Sequence, residues 1–186
     1  MVYGDFQSEI ATEEHQKKPK EVYGTMKLTG EIVARGLADF YGIPYTIVRP
    51  SAVYGPTDMN RRVSQISIEK AFNKEKITVH GEDEKLDFTY IKDIAHGAIL
   101  ATLKDEAIGE DFNITHGKAH TLLDYVECLK LHFPDLNYEI LPRDSFRPKR
   151  GTLSIEKART LIGYNPKYSL KEGINEYVEF IRKNKY

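Results

Sequence analysis

Tryptophan is absent from the 186-residue sequence, and cysteine occurs once, at Cys128. A single cysteine cannot form a disulfide within the chain, so we expect no disulfide framework. Long apolar runs are also missing, and none approaches the roughly 20 residues that a membrane-spanning helix requires. Residues 1–20 lack the apolar stretch of a signal peptide. These absences predict a cytoplasmic protein that does not cross a membrane.

An excess of charge of either sign is missing as well. The 27 basic and 28 acidic side chains nearly cancel, which leaves no overall field to hold nucleic acid. Apolar residues make up 40% of the chain and charged residues 30%, as in folded rather than disordered proteins. The length suits one domain. We therefore expect a folded protein without a nucleic-acid partner, although local arginines could still bind a small anion.

Extended and helical patterns alternate along the chain. The clearest helix is predicted over about residues 20–41, and Gly42 supplies its stop signal. Its apolar stripe consists of Met26, Val33, Leu37 and Phe40. The other predicted elements are strands at 2–3, 44–49, 77–80, 87–91 and 112–115, and helices at about 62–73, 94–103, from Thr121 and from Ser169. The alternation predicts an α/β fold with parallel strand pairing.

Several residues mark the ends of these elements. Pro50 is predicted to break the strand over 44–49. Asp93 is predicted to cap the helix over 94–103. Two more helix starts carry a hydroxyl residue followed three positions later by an acid, at Thr121 with Asp124 and at Ser169 with Glu172.

Tyr23 and Lys27 stand four positions apart on the long predicted helix, so their side chains share one face. A free tyrosine has a pKa near ~10, which is too high for a general base at neutral pH. A nearby ammonium favours the phenolate and lowers that pKa. By itself the pattern is weak, because chance supplies about one such pair in a chain with 12 tyrosines. A catalytic pair and two solvated neighbours therefore remain alternatives at this point.

Five segments in order along the chain supply further context. They are VYGD from Val2, YGTMKLTGE from Tyr23, RPSAVYGP from Arg49, DFTYIKD from Asp87 and SIEKARTLIGYNPKYSLKEGI from Ser154. Together they resemble the extended short-chain dehydrogenase/reductase family, and within it the NAD-dependent nucleotide-sugar epimerases and dehydratases. The likeness covers nearly the whole chain.

The resemblance implies a fold and a division into domains. The chain would comprise the C-terminal part of a Rossmann-type doubly wound parallel sheet and a smaller α/β substrate-binding domain. Residues 1–55 would be the remnant of the NAD-binding domain, with the Tyr-x-x-x-Lys helix. Residues 56–186 would form mainly the substrate-binding domain, with about 87–105 returning to the Rossmann part.

The resemblance also implies roles for four residues. Tyr23 would be the acid/base that takes the proton from a sugar hydroxyl, and Lys27 would hold the nicotinamide ribose and lower the tyrosine's pKa. Pro50 and Val53 would touch the nicotinamide through backbone and packing contacts. The cofactor is expected to be NAD, with NADP as an alternative, and it performs the redox chemistry while the protein supplies the proton path.

Two parts of the family pattern are missing. No Gly-rich phosphate loop is found, since Gly24, Gly30, Gly36 and Gly42 recur every six residues without completing a fingerprint. We interpret these glycines as helix-packing positions. The serine or threonine that the family places before VYG is also absent. We therefore expect the C-terminal part of a longer enzyme that does not bind NAD effectively alone, or a chain whose other half is another polypeptide.

Substrate recognition departs from the family as well. Ala52 and Leu86 stand where many relatives have asparagine and arginine, so polar contacts to a nucleotide sugar are lost. Other cations could bind a diphosphate, because guanidinium and ammonium groups donate to phosphate oxygens. The predicted substrate-binding residues are Arg61, Arg62, Lys85 and Arg147, with Arg150 as a further candidate.

The preferred function is NAD-dependent epimerisation of a nucleotide sugar, by oxidation to a keto intermediate and re-reduction. The alternatives are dehydratase, decarboxylase or reductase chemistry on a similar substrate, and a non-catalytic fragment with only a binding role. The resemblance also implies a homodimer through the Tyr23 helix. His116 and His120 have a spacing found in some zinc sites, but without further ligands nearby in the sequence we expect no metal.

Overall fold

Four parallel strand pairs and one antiparallel pair organise the protein in a computed structural model that describes residues 1–184. The parallel pairs are β1 (Ile10–Ala11) with β10 (Thr152–Leu153), β2 (Ile47–Pro50) with β7 (Asp111–Ile114), β3 (Val53–Tyr54) with β6 (Thr89–Tyr90), and β4 (Ile77–His80) with β9 (Tyr138–Leu141). The antiparallel pair is β5 (Lys85–Leu86) with β8 (His120–Thr121).

Six α-helices lie between or after these strands. They are α1 (Val22–Tyr41), α2 (Val63–Phe72), α3 (Ile91–Leu103), α4 (Leu122–Lys130), α5 (Glu156–Ile162) and α6 (Leu170–Asn184), with a short 3₁₀ turn at Asp105–Ala107. The predicted α/β class with parallel pairing is confirmed. No helix within residues 1–184 combines the length and the apolar character that crossing a bilayer demands.

Two helix ends lie where the sequence predicts them, at the glycine after α1 and at the capping box of α4. Gly42 ends α1 in the left-handed conformation, with φ of 63°, and its amide donates to the Ala38 carbonyl. The Thr121 hydroxyl accepts from the Asp124 amide at 2.9 Å, and the Asp124 carboxylate accepts from the Thr121 amide at 2.8 Å. This capping box begins α4, as predicted.

The first residues form a turn, so the predicted strand at Val2 and Tyr3 is wrong. The Gly4 amide donates to the Met1 carbonyl at 3.3 Å and closes the turn. Gly4 has φ of 69°, and a Cβ built on it would lie 1.9 Å from the Lys18 carbonyl oxygen. Only glycine fits there, because both the backbone conformation and the close approach exclude a side chain. The turn buries Val2 and Tyr3 without any strand pairing of their own.

Pro50 is the last residue of β2 and pairs in register with Ile114, so the strand stops at Pro50 as predicted. The prediction that Asp93 caps α3 is wrong. Asp93 lies inside the first turn of α3, whose N-cap is Tyr90. Its carboxylate accepts from the amides of Lys167 and Tyr168 at 2.8 and 3.0 Å, and so ties α3 to the segment before α6.

The buried apolar side chains form three clusters. The largest joins α2, α4 and α6 to β3–β6 and includes Ile68, Leu129 and Ile174. A second packs α3 and α5 against β2 and β7. The third is small, with Val2, Tyr3, Ala11 and Leu153 as its buried members and Leu28 of α1 packed against them. Helix α1 therefore joins the body of the protein through few apolar contacts.

Helix α1 turns its apolar stripe away from the rest of the chain. The exposed fractions are 68% for Met26, 53% for Val33, 52% for Leu37 and 79% for Phe40. On the packed face, a Cβ on Gly24 would lie 2.9 Å from the Met1 carbonyl oxygen. Gly30 and Gly36 have no such neighbour within 4 Å among residues 1–184. The interpretation of these glycines as packing positions therefore holds within the described chain for Gly24 alone.

Candidate active site

Tyr23 and Lys27 lie on adjacent turns at the start of α1, as their spacing predicts. The Lys27 Nζ is 5.4 Å from the centroid of the Tyr23 ring. Both side chains are exposed, with 51% of Tyr23 accessible to solvent. The phenol and the ammonium are thus near each other and open to a ligand, while their chemical roles stay a prediction.

A buried polar network, comprising Tyr3, Glu31, Arg49, Asp111 and Asn113, lies beneath this helix. Arg49 donates from Nε and Nη2 to the two carboxylate oxygens of Glu31 at 2.8 and 2.7 Å. It also pairs with Asp111 and donates from Nη1 to the Tyr3 hydroxyl oxygen at 3.0 Å. That hydroxyl donates to Asn113 Oδ1 at 2.7 Å. The network ties α1 to β2, β7 and the N-terminal turn.

Electrostatics in this network favour its charged groups. Burial opposes the charge on Arg49, but its bonds to Glu31 and Tyr3 outweigh that cost and raise its pKa. Burial also favours the neutral form of Asp111, yet Arg49 and Lys157 outweigh it and hold the carboxyl pKa below its ordinary value. Burial raises the pKa of Tyr3 to about 12, so its hydroxyl remains a donor at neutral pH.

This network was not predicted from the sequence. One signal was available, because Arg49 is a charged residue at the end of a strand that otherwise reads as buried. Its partner Glu31 stands four residues after Lys27 and therefore shares a face of α1 with it. Their pairing crosses from a helix to a strand, and local sequence periodicity does not specify such a contact.

Pro50 and Val53 flank the tight connection between β2 and β3. Pro50 ends β2 beside Ile114, the last residue of β7, so both lie at the carboxyl end of a parallel pair. Ligands of open α/β sheets bind outside such strand ends. Since Arg49 directly precedes Pro50, the buried network also fixes the position of this strand end relative to α1.

The surface also contains a cleft of about 440 Å³. We call it the basic cleft, and its lining residues are Phe6, Gln7, Ser8, Glu9, Lys85, Ala119, Lys149, Arg150, Gly151 and Thr152. It forms where the loop before β1 meets the loop before β10. Their strands pair, with Ile10 opposite Thr152, and so hold the two loops together.

The predicted substrate-binding cations are not gathered in one place. Lys85 lines the basic cleft. Arg147 lies outside that lining, where it pairs with Asp144 at 3.4 Å and stacks over the Phe146 ring. Arg61 and Arg62 stand at the start of α2, with the Arg61 amide donating to Gln65 Oε1 at 2.6 Å.

Asp87 is a buried carboxyl that the predicted mechanism does not use. Its Oδ2 accepts from the Thr115 hydroxyl and from the Leu153 amide, each at 3.1 Å. Its Oδ1 is enclosed and has no hydrogen-bond partner among the described residues. Burial raises the pKa of Asp87 to about 6, more than these hydrogen bonds lower it.

The two histidines considered as metal ligands do not belong to a larger cluster. Burial lowers the pKa of both His116 and His120. His120 lies 3.7 Å from the carboxylate of Asp124. Within residues 1–184, no three His, Cys, Asp or Glu side chains come together as metal ligands would.

Known proteins resemble this chain over nearly its whole length. An uncharacterised UDP-glucose epimerase of Bacillus subtilis is 29% identical over 97% of this chain and 57% of its own length. The UDP-glucuronic acid 4-epimerase of Bacillus cereus, solved with UDP-glucuronic acid and NAD, is 28% identical with a TM-score of 0.90. That alignment covers 98% of this chain and 59% of the other.

A second solved structure is similar to this chain to the same degree. The UDP-glucose 4-epimerase of Thermotoga maritima, solved with UDP-glucose, is 28% identical with a TM-score of 0.89, covering 100% of this chain and 61% of the other. The chain thus spans less than two thirds of the length of these relatives. The sequence model of the NAD dependent epimerase/dehydratase family matches residues 1–115. The Rossmann-type fold predicted from the sequence is confirmed, and the chain belongs to the NAD-dependent epimerase/dehydratase family.

Proposed function

We propose that the chain takes part in the epimerisation of a nucleotide sugar, with Tyr23 as its acid/base. The observation that carries the proposal is the exposed Tyr23 phenol with the Lys27 ammonium 5.4 Å from its ring. An acid/base must reach the sugar hydroxyl whose proton it takes, and an exposed phenol meets that requirement. Two similar solved structures hold UDP-sugars, which supports a uridine diphosphate sugar as the substrate.

The residues present fit one part of NAD. The Tyr23 hydroxyl and the Lys27 ammonium are the donors that a nicotinamide ribose accepts from, and Pro50 and Val53 offer an apolar strand end for the ring. For the pyrophosphate, the positive-φ glycines of residues 1–184 stand singly in separate loops and form no Gly-rich cradle. When bound, NAD supplies hydride acceptance and return.

The role of each residue follows from its placement. Tyr23 moves the proton at the reacting hydroxyl, and Lys27 holds its positive charge beside the Tyr23 ring. Arg49 and Glu31 hold α1 against β2 and so fix the helix that carries Tyr23 relative to that strand. Catalysis depends on such positioning, because small displacements of an acid/base slow proton transfer strongly.

Association and location complete the proposal. The apolar stripe of α1 is exposed along the helix and would be covered in a homodimer or by a complementing polypeptide. A cytoplasmic location is supported by the single cysteine, since disulfides are common in secreted proteins and rare in cytosolic ones.

The test is a turnover assay with UDP-glucose and UDP-glucuronic acid in the presence of NAD. It uses the 186-residue chain and, in parallel, the product of any coding sequence that adjoins it in frame. Proton NMR identifies the product, and the 4-epimer is expected. Loss of water or carbon dioxide would identify the dehydratase or decarboxylase alternative. Absence of turnover in every form would support the non-catalytic alternative.

Tyr23→Phe is the decisive variant in the active form. General acid/base groups contribute about 10²–10⁴-fold to rates, so a loss of kcat of that size is expected with unchanged affinity for UDP-glucose. Tyr41→Phe is the matched control, because Tyr41 is an exposed tyrosine at the other end of α1. Equal turnover by Tyr23→Phe and wild type would remove Tyr23 from the mechanism.

A further inference from the structure

We propose that Tyr3 is a positioning residue for the reaction, because it fixes the turn on which the first part of α1 rests. The inference rests on the proposed function, since the side chain that it positions is Tyr23. Tyr3 is 3% exposed, so it acts through its neighbours and not by contact with a substrate. It adds a second support for α1 to the contact between Arg49 and Glu31, and this support lies closer to Tyr23 along the helix.

The first half of α1 meets the rest of the chain at three positions on one face. They are Gly24, Leu28 and Glu31, which are four and three residues apart and therefore lie above one another on a helix. Every other residue from 22 to 31 is exposed. Gly24 directly follows Tyr23, so the contact beneath Gly24 determines how the turn of helix that carries Tyr23 is seated.

The N-terminal turn lies directly beneath Gly24. A Cβ on Gly24 would be 2.9 Å from the Met1 carbonyl oxygen, so the backbones of α1 and the turn are in close contact. The same carbonyl accepts from the Gly4 amide at 3.3 Å and closes the turn. One helical turn further on, Leu28 packs against the apolar cluster that contains Tyr3. A shift of the turn would therefore move the support of α1 at both positions.

The Tyr3 hydroxyl fixes this turn to the strands below it. It donates to Asn113 Oδ1 of β7 at 2.7 Å and accepts from Arg49 Nη1 of β2 at 3.0 Å. Asn113 is itself fixed, because its Nδ2 donates to the Ser154 carbonyl at 3.2 Å and its amide donates to Glu13 Oε1 at 2.7 Å. The hydroxyl thus connects the turn under Tyr23 to a rigid part of the fold.

Tyr125 has the same burial but a different location. It is 1% exposed, and its hydroxyl donates to the Ser64 carbonyl at 3.1 Å. Its ring packs on those of Tyr54 and Phe88. None of these residues belongs to α1 or to the N-terminal turn. Removing the hydroxyl from either tyrosine therefore costs a buried hydrogen bond, but only at Tyr3 does that bond support α1.

Turnover of UDP-glucose by the active form tests the proposal. Tyr3→Phe is expected to lower kcat about tenfold and to change KM less than about twofold, because a displaced acid/base slows proton transfer without loss of substrate contacts. Tyr125→Phe is the matched control. It is expected to lower the urea denaturation midpoint as much as Tyr3→Phe does and to keep the wild-type kcat. A role of Tyr3 in stability alone would leave kcat equal in the two variants.

Two glycine variants test the same contact from the helix. Gly24→Ala would displace the Met1 carbonyl and is expected to lower kcat about tenfold, again with KM nearly unchanged. Gly30→Ala is its control, because the Cβ position of Gly30 has no neighbour within 4 Å among residues 1–184. Gly30→Ala is expected to keep the wild-type kcat. If Tyr3→Phe does not fold, equal kcat values for the two glycine variants overturn the inference.

Amide hydrogen exchange provides a measurement that does not depend on turnover. In Tyr3→Phe the amides of residues 26–31 are expected to exchange about fivefold faster or more, relative to the amides of α6 in the same sample. In Tyr125→Phe this ratio is expected to equal that of wild type. An equal ratio in Tyr3→Phe and wild type would overturn the inference. Faster exchange in α1 without turnover in any form would contradict the proposed epimerase alone, and turnover with a kcat unaffected by Tyr3→Phe would contradict the positioning role alone.

Discussion

The Arg49 guanidinium meets the Glu31 carboxylate in a two-point contact, with N–O distances of 2.8 and 2.7 Å and with 5% and 11% of the respective side chains exposed. The pair joins the helix that carries Tyr23 to the strand that ends at Pro50. Removing Glu31 leaves the buried Arg49 with Asp111 as its remaining carboxylate partner, so the loss of unfolding free energy should reach at most about 3–5 kcal/mol, which an uncompensated buried charge costs in other proteins. We expect Glu31→Ala to show a loss of that order in urea denaturation.

A surface pair provides the comparison for this experiment. Arg159 and Glu156 lie 2.6 Å apart on α5, with half or more of each side chain exposed. Glu156→Ala should change the unfolding free energy by less than about 1 kcal/mol. Losses of similar size for the two variants would show that the Glu31 contact does not hold α1 in place.

Asp87 makes stability depend on pH in a defined window. Its pKa is about 6 in the folded protein, against an ordinary value of 3.8. Because the folded state binds this proton more tightly, the stabilisation is complete below about pH 4 and is lost as pH rises through 6. Asp87→Asn cannot titrate, so its stability relative to wild type should rise by up to about 3 kcal/mol between pH 4 and 7.

Urea denaturation at several pH values measures this difference. Asp124→Asn is the control, because Asp124 is an exposed carboxylate with partners in its own capping box. Parallel stability profiles for wild type and Asp87→Asn between pH 4 and 7 would contradict the prediction. The test uses the difference in unfolding free energy between wild type and Asp87→Asn, because other groups titrate equally in both proteins.

Two helical glycines should respond oppositely to alanine. Gly30 in α1 has open space around its Cβ position, so Gly30→Ala should stabilise the protein by about 1 kcal/mol through helix propensity. A Cβ on Gly97 in α3 would lie 2.3 Å from Ile114 Cγ2 and 2.9 Å from the Tyr164 ring. Overpacking of this kind typically costs about 1–3 kcal/mol, so Gly97→Ala should lower the denaturation midpoint. If Gly30→Ala were instead destabilising, something would have to cover that face of α1 in solution.

The apolar stripe of α1 makes the proposed dimer testable. Analytical ultracentrifugation of wild type is expected to show a dimer whose population rises with concentration. Val33→Glu with Phe40→Glu should give a monomer, because both side chains belong to the stripe. Leu103→Glu is the control, since Leu103 is 75% exposed at the end of α3. A monomeric wild type at all concentrations would contradict the dimer and favour a complementing polypeptide.

The sequence predicted those features that depend on neighbouring residues. The capping box of α4, the glycine end of α1 and the spacing of Tyr23 and Lys27 all involve residues within a few positions of each other. The errors concern distant partners. Asp93 looked like a cap because its neighbours suit one, yet its carboxylate binds amides of residues 167 and 168. The basic cleft could not be predicted because its walls come from separate parts of the chain.

The register of β1 with β10 also constrains the order in which this protein can fold. Ile10 and Ala11 come early in the chain, whereas their partners Thr152 and Leu153 come late. During synthesis, α1 and α2 can form before Thr152 and Leu153 have been made, so the pairing of β1 with β10 comes later. Contacts between such distant residues form slowly, because a long loop must close first. A nascent chain arrested before residue 150 would therefore contain Tyr23 but lack the partner strand of β1.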